Sequence, residues 1–274
     1  MKKILFNYTI GLISLFLVSC GGGSGDDNGT KMYVGSSFDW RLDDIDESIK
    51  LNVKVIDVDA FWTTKESIDA WHNDGIHVIA YLSVGTVEET RDDAEDFPEA
   101  LIGNVYPNFP EERFLDIRDI EALKPIMIKR LDMIKEKGFD SIEPDNIDLY
   151  VWDLNDANKT GFNLKEEDTR KYMDFLIVEA HKRGLSIGQK NTTDLSLEYV
   201  DKFDWALVES AFKFGFADEV KIYTDKNKPV FATEYTDLMD EEEFLRDVCP
   251  KAKLWGFTAI LKNRDLDSFV RRCP

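Results

Sequence analysis

The feature that most constrains this chain is a unit that recurs along it: an amphipathic helix, a glycine, then a short apolar run. Glu66–Asp74 carries Ile68 and Trp71 on one face, stops at Gly75 and leads into His77–Leu82. Glu121–Lys137 presents Leu123, Ile126, Met127, Leu131 and Ile134, stops at Gly138 and leads into Ser141-Ile142. Glu167–Arg183 presents Tyr172, Met173, Leu176, Ile177 and Ala180, stops at Gly184 and leads into Leu185–Gly188. Apolar spacing of three and four is the helix period, and glycine suits the left-handed residue that ends a helix. Short β-rich runs separated by helices call for a mainly parallel sheet.

Nine strand-like runs can be read: Tyr33–Trp40, Val53–Ala60, His77–Val84, Arg113–Ile117, Asp140–Pro144, Leu185–Lys190, Trp205–Val208, Val230–Glu234 and Leu254–Leu261. A closed barrel needs eight, so one run at an end of the chain is expected to be peripheral or to merge with its neighbour. An open doubly wound sheet fits the same alternation. Polar residues at the C-terminal ends of so many strands favour the α/β alternative with a catalytic mouth, a single-domain (β/α)8 TIM barrel over residues 31–274.

The barrel is preceded by a targeting segment. Lys2 and Lys3 form a basic start, Ile10–Val18 is apolar but too short to span a bilayer comfortably, and Leu17-Val18-Ser19-Cys20 reads as a lipobox. Residues 1–19 are therefore expected to be removed and Cys20 lipidated, with residues 20–30, rich in Gly and Asp, as a flexible tether. This places the protein in the cell envelope, anchored through lipid at the outer membrane or cell surface. In such an oxidising compartment Cys249 and Cys273 are expected to bridge rather than bind metal.

The formal charge is −20, and it becomes −22 once Lys2 and Lys3 are removed. This argues against a nucleic-acid partner, whose phosphates need cations, and suits a cationic polymer. No metal cluster, phosphate loop, cofactor motif or Ser-His-Asp triad can be assembled; His72 and His181 fall on helices and His77 begins a strand.

The strand ends read Asp39-Trp40-Arg41, Asp57-Val58-Asp59, Tyr81–Gly85, Asp116-Ile117-Arg118, Glu143-Pro144-Asp145-Asn146, Lys190-Asn191, Glu209 and Glu234-Tyr235. Six of these eight carry carboxylates, which marks a polar cleft because desolvated charge is costly unless paired. Asp116 with Arg118, and Asp57 with Asp59, serve equally well as internal pairs closing the barrel mouth. Glycosidic cleavage needs a carboxylic acid for the leaving oxygen and a carboxylate to attack or to activate water. Trp40, Trp62, Tyr81, Tyr150 and Tyr235 could supply platforms for sugar rings.

These segments resemble glycoside hydrolase family 114. The resemblance rests on Phe38–Leu42, Tyr81–Gly85, Leu115–Arg118, Gly138–Asp148, Thr160–Phe162, Ala180–Asn191, Glu209 with Phe212 and Gly215, and Phe257–Lys262, in order through the mature chain. Such proteins are TIM barrels related to endo-α-1,4-polygalactosaminidases. The resemblance implies a retaining hydrolase with Asp145 as nucleophile and Glu209 as acid/base. Asn146 and Lys190 would give Asp145 a polar setting, while Phe212, Phe214 and the negative neighbours would raise the Glu209 pKa. Asp39, Asp57, Asp59, Asp116 and Glu234 would contact sugar hydroxyls or amines, in a site that also includes Arg118, Asp148 and Asn191. Glu143 is expected to face away from Asp145. Departures occur at Val208-Glu209-Ser210-Ala211, Gln189-Lys190-Asn191 and Thr86-Val87-Glu88, close to the sugar subsites.

Overall fold

The computed structural model describes residues 31–107 and 109–274. The targeting segment, Cys20 and the tether lie outside the described residues. Three strands open the fold: β1 (Phe38–Arg41), β2 (Val55–Asp59) and β3 (His77–Ser83). An excursion follows with β4 (Thr86–Glu88), β5 (Ile102–Val105) and β6 (Glu112–Leu115). The chain then lays down β7 (Ser141–Asp145), β8 (Ser186–Lys190), β9 (Trp205–Glu209), β10 (Val230–Tyr235), β11 (Thr258–Lys262) and β12 (Val270–Arg272).

The main sheet runs β1-β2-β3-β7-β8-β9-β10-β11-β12. Its first eight members pair in parallel and β12 returns antiparallel along β11. The two ends of the sheet then meet. Thr258 Oγ1 donates to the Ser36 carbonyl at 3.0 Å, Leu42 N to the Leu266 carbonyl at 3.1 Å, and Arg272 Nε to the Phe38 carbonyl at 3.3 Å. The result is the expected eight-stranded parallel barrel, closed at its seam by the C-terminal strand. Asp39 belongs to this seam rather than to a sugar site: it receives Lys262 Nζ at 3.0 Å and Arg272 at 3.1 Å.

The run Arg113–Ile117 is not a barrel strand, and the spare run is internal rather than terminal. It forms β6, the centre of a separate antiparallel sheet of order β4-β6-β5. A strand followed by a helix looks the same in sequence whether it enters the barrel or an excursion; only its pairing partners tell. Asp116 and Arg118 go with it. They bond each other through two contacts of 2.7 Å and lie outside the barrel mouth.

Helices α1 (Lys65–Asn73) and α2 (Ile120–Lys137) are capped by the side chains of Thr64 and Asp119, which accept from Ser67 N and Ala122 N. Gly138 ends α2 at φ 99°, a backbone that other residues adopt only under strain. Tyr150–Asn155 and Glu166–Lys182 form α3 and α4. Strand alternation then separates two cores. Phe38, Trp40, Val55, Ile79, Trp205, Leu207, Phe231 and Ile260 fill the barrel, while Ile56, Val58, Val78, Leu82, Ile142, Ile187 and Val208 pack outward against the helices. Cys249 and Cys273 are joined by a disulfide that ties β12 to the last helix, Cys249–Trp255.

Candidate active site

Asp145, Lys190 and Glu209 are the last residues of β7, β8 and β9, three consecutive strands of the barrel. Strand alternation turns all three inward, and the lysine occupies the strand between the two carboxylates. The residue after each of them, Asn146, Asn191 and Ser210, has left-handed backbone with φ of 58°, 47° and 50°. The chain thus turns off each strand at once, and asparagine tolerates this better than most residues. A glycine makes room for the first turn: a Cβ on Gly85 would lie 1.7 Å from the Asn146 carbonyl oxygen.

The Lys190 ammonium donates to Asp145 Oδ1 at 2.6 Å and lies 3.2 Å from Glu209 Oε2. Both oxygens touch one nitrogen, so they lie no further apart than the sum of the two contacts, about 5.8 Å. Tyr81 on β3 donates to Asp145 Oδ2 at 3.0 Å. Tyr235, at the end of β10, donates to Glu209 Oε1, and Asn191 Nδ2 reaches Glu209 Oε2 at 3.4 Å. Asn191 also accepts from Glu209 N at 3.1 Å, and so fixes the strand end as well as the side chain.

Lys190 is sealed beneath the floor of the site, 4.6 Å above the Trp40 ring. Burial alone would discharge it, but Asp145, Glu143 and Glu209 outweigh burial and hold it charged. Glu209 departs from the raised pKa expected of it. Burial pushes its carboxyl up, yet the Lys190 charge and the hydrogen bonds from Tyr235, Lys190 and Asn191 leave it below the usual value. The Phe212 ring stacks on Trp255 at 5.6 Å, and Phe214 is 67% exposed at the cleft edge.

Glu143 also departs from expectation. Residues 143 and 145 are two apart on one strand and therefore face the same side. Glu143 turns inward and bonds Lys190 from below. It is fully buried beside Asp57, which has no solvent exposure. Burial, with Asp145 acting in the same sense, pushes Glu143 up to about 8 against the pull of Lys190. Burial and Glu143 push Asp57 well above the ordinary range. Asp57 is thus a buried acid under the site rather than a sugar ligand.

Above this floor opens a cleft of about 960 Å³. Of the residues expected at a sugar site, Trp40, Asp59, Tyr81, Asn146, Asp148, Asn191 and Tyr235 line it together with Asp145 and Glu209. Asp59 is neutralised: Arg91 bonds it at 3.0 and 2.7 Å and also bonds Glu88. Its Oδ1 accepts from Phe61 N and Trp62 N, which fixes the loop that projects Trp62, 60% exposed, into the cleft. Burial and the Asp145 charge push Asp148 up to about 6.

Glu234 lies outside the cleft lining, where it accepts from Phe212 N at 2.9 Å and Lys213 N at 3.2 Å. Burial raises it to about 7. Tyr150 donates to Asp194 and lies outside the lining too. The excursion supplies residues that no strand-end pattern singled out, namely Glu88, Arg91, Tyr106, Phe109 and Glu112. Tyr106 stacks edge-on to Trp152 of α3 at 5.3 Å, and the two form one wall.

A buried lysine holding two carboxylates at the C-terminal mouth of a parallel barrel, beneath a cleft walled by exposed aromatic rings, is an arrangement for acid–base or nucleophilic work on a sugar. Known proteins agree. The structure of Aspergillus fumigatus Ega3 in complex with galactosamine is similar at 28% identity and a TM-score of 0.79, over 88% of this chain and 96% of that one. The glycoside hydrolase domain of PelA from Pseudomonas aeruginosa shares the fold at 13% identity and a TM-score of 0.66, over 87% of this chain and 99% of that one. Among curated proteins none matches. The family model for glycoside-hydrolase family GH114 matches residues 24–274. The chain therefore belongs to glycoside-hydrolase family GH114 and is a glycoside hydrolase of TIM-barrel fold.

Proposed function

We propose that this enzyme is an envelope-anchored, retaining, endo-acting hydrolase of α-1,4-linked, galactosamine-containing polysaccharide. Asp145 is the nucleophile and Glu209 the acid/base. The observation that carries the chemistry is the shared lysine. It keeps the nearest Asp145 and Glu209 oxygens within about 5.8 Å, which suits direct attack by a carboxylate at about 5–5.5 Å and leaves little room for an intervening water. The similarity to Ega3, whose structure holds galactosamine, supports the substrate class, as does the acidic cleft.

In the first step Asp145 Oδ attacks the anomeric carbon while Glu209 passes its proton to the leaving oxygen. In the second, Glu209 deprotonates the water that releases the sugar from Asp145. Tyr81 and Lys190 orient Asp145. Glu209 rests as a carboxylate beside Lys190 and Tyr235; a sugar ring that covers the cleft removes water and favours its protonated form. Lipidation of Cys20 would hold the barrel on its tether at the membrane, near a polymer outside the cell.

The test is reducing-sugar release from partly deacetylated galactosaminogalactan by the wild-type enzyme, Asp145→Asn and Glu209→Gln, with the anomer of the first-formed product read by NMR. Release lost in both variants, with α product from α linkages, supports the reading. Release that survives either substitution, or a β product, refutes the assigned roles. Labelling with a radioactive fatty acid, lost in Cys20→Ala, tests the anchor.

A further inference from the structure

Four of the carboxylates lining the cleft have a counter-ion. Asp59 and Glu88 share the Arg91 guanidinium, and Asp145 and Glu209 share the Lys190 ammonium. Glu112, on β6, lines the same cleft, and its hydrogen-bond partner is a neutral hydroxyl: Thr86 Oγ1 donates to Glu112 Oε2 at 3.0 Å. That bond is directed by the groups behind it. The Asn146 amide, which can only donate through Nδ2, gives a hydrogen to Ser83 Oγ at 3.1 Å. Ser83 also bonds Thr86; because the one Thr86 hydroxyl hydrogen goes to Glu112, Ser83 gives its own to Thr86. A relay that starts beside Asp145 thus ends on one Glu112 oxygen and fixes it as an acceptor. Oε1 takes part in none of these bonds.

Among the described residues no ion pair reaches Glu112, and a half-buried carboxyl without one is held in an unfavourable state. Burial, then the Glu88 charge, pushes Glu112 up to about 7 against the Thr86 bond. A ligand bearing an ammonium relieves this burden; one bearing an acetamide brings no charge and leaves the carboxyl uncompensated.

We propose that Glu112 is a specificity-determining residue, whose Oε1 receives the ammonium of an unacetylated amino sugar bound beside Asp145 and Glu209. The proposal rests on the galactosaminidase reading above and adds the residue that separates free amine from N-acetyl. It also gives the excursion a role, since β4 supplies Thr86 and β6 supplies Glu112.

Calorimetric binding of an α-1,4-linked galactosamine oligosaccharide and its N-acetylated counterpart to the purified protein tests it. The wild type is expected to prefer the free-amine ligand. Glu112→Gln should weaken that ligand about tenfold, the effect of one charge-assisted bond, and leave the N-acetylated ligand within about twofold. Glu112→Asp, which keeps the charge, should still prefer the amine; this variant carries the test if the glutamine form fails to melt cooperatively. Equal weakening of both ligands in Glu112→Gln, no weakening of either, or no preference in the aspartate form overturns the proposal. A wild type that neither binds nor cleaves these sugars overturns the galactosaminidase reading together with it. A wild type that cleaves the polymer beside an unaltered Glu112→Gln overturns this inference alone.

Discussion

The Lys190 ammonium stands 2.6 Å from Asp145 and 3.2 Å from Glu209, on the strand that lies between theirs. Two carboxylates this close would repel, and one would hold its proton, if no cation separated them. Lys190→Met should therefore raise the Glu209 pKa and reduce kcat/KM at least about 100-fold, the scale of losing a charge aimed at the reacting group. Removing one partner of a buried ion network should also lower stability by about 3–5 kcal/mol near neutral pH. Rate assays with urea unfolding check both; activity within tenfold of wild type would show the lysine to be dispensable.

Tyr235→Phe deletes the hydroxyl that donates to Glu209 Oε1. That bond favours the carboxylate, so its loss raises the Glu209 pKa. The alkaline limb of kcat/KM, where the free enzyme loses its acid, should move to higher pH. For stability the sign is also fixed. Glu209 has a depressed folded-state value, so its contribution is present above the unfolded value of about 4.3 and fades as pH falls through the folded one. The variant should lose about 1 kcal/mol at pH 7 and less at pH 3. An unmoved pH–rate limb would break the link between Tyr235 and Glu209.

Asp57 and Glu143 act in the opposite sense. A carboxyl whose folded-state pKa is raised binds more protons folded than unfolded, so stability falls as pH rises between the two values. For Glu143 that window runs from about 4.3 unfolded to about 8 folded; for Asp57 it opens near 3.9 and continues upward. Asp57→Asn removes one such group at nearly constant shape. It should be more stable than wild type at pH 7 by about 1–3 kcal/mol, with the gap closing by at most about 1.4 kcal/mol per pH unit toward pH 5. Denaturant titrations at several pH values decide it; a variant less stable at pH 7 would show that Asp57 is ionised.

The disulfide spans 24 residues and holds β12, which completes the barrel seam through Arg272 and Asp39. A double Cys249→Ser, Cys273→Ser variant should lose on the order of 3 kcal/mol. A reducing agent should lower the melting temperature of the wild type and leave that of the variant unmoved. Equal melting temperatures for the oxidised wild type and the variant would mean that the bridge adds no stability.

Much of the fold can be read from local pattern. The helix expected over 121–137 forms as Ile120–Lys137 with Gly138 behind it, because spacing, cap and terminating glycine act within a few residues of one another. Asp145, Lys190 and Glu209 stand out for a related reason: each closes a strand-like run, and alternation turns it inward. The run at Arg113–Ile117 has the same local appearance and a different place, since β4 and β5 rather than barrel strands pair with it. Glu112 lies one residue before that run and carries no motif of its own.

Periods of two and 3.6 residues make the barrel strands and long helices legible, with the side chains that the strand ends present; β4, β5 and β12 carry no such signal. What each carboxylate does depends on its neighbours in space. Asp39 meets Lys262 and Arg272 at separations of 223 and 233 residues, Asp59 meets Arg91 at 32, and Glu143 meets Lys190 at 47. Charge pairing and burial depend on distance through space and on what displaces water there, and neither follows from order along the chain. Six acidic strand ends that look alike in sequence thereby become a seam, a loop anchor, an acceptor for the Phe212 and Lys213 amides, an ion pair with a half-exposed arginine and the two carboxylates that share one lysine.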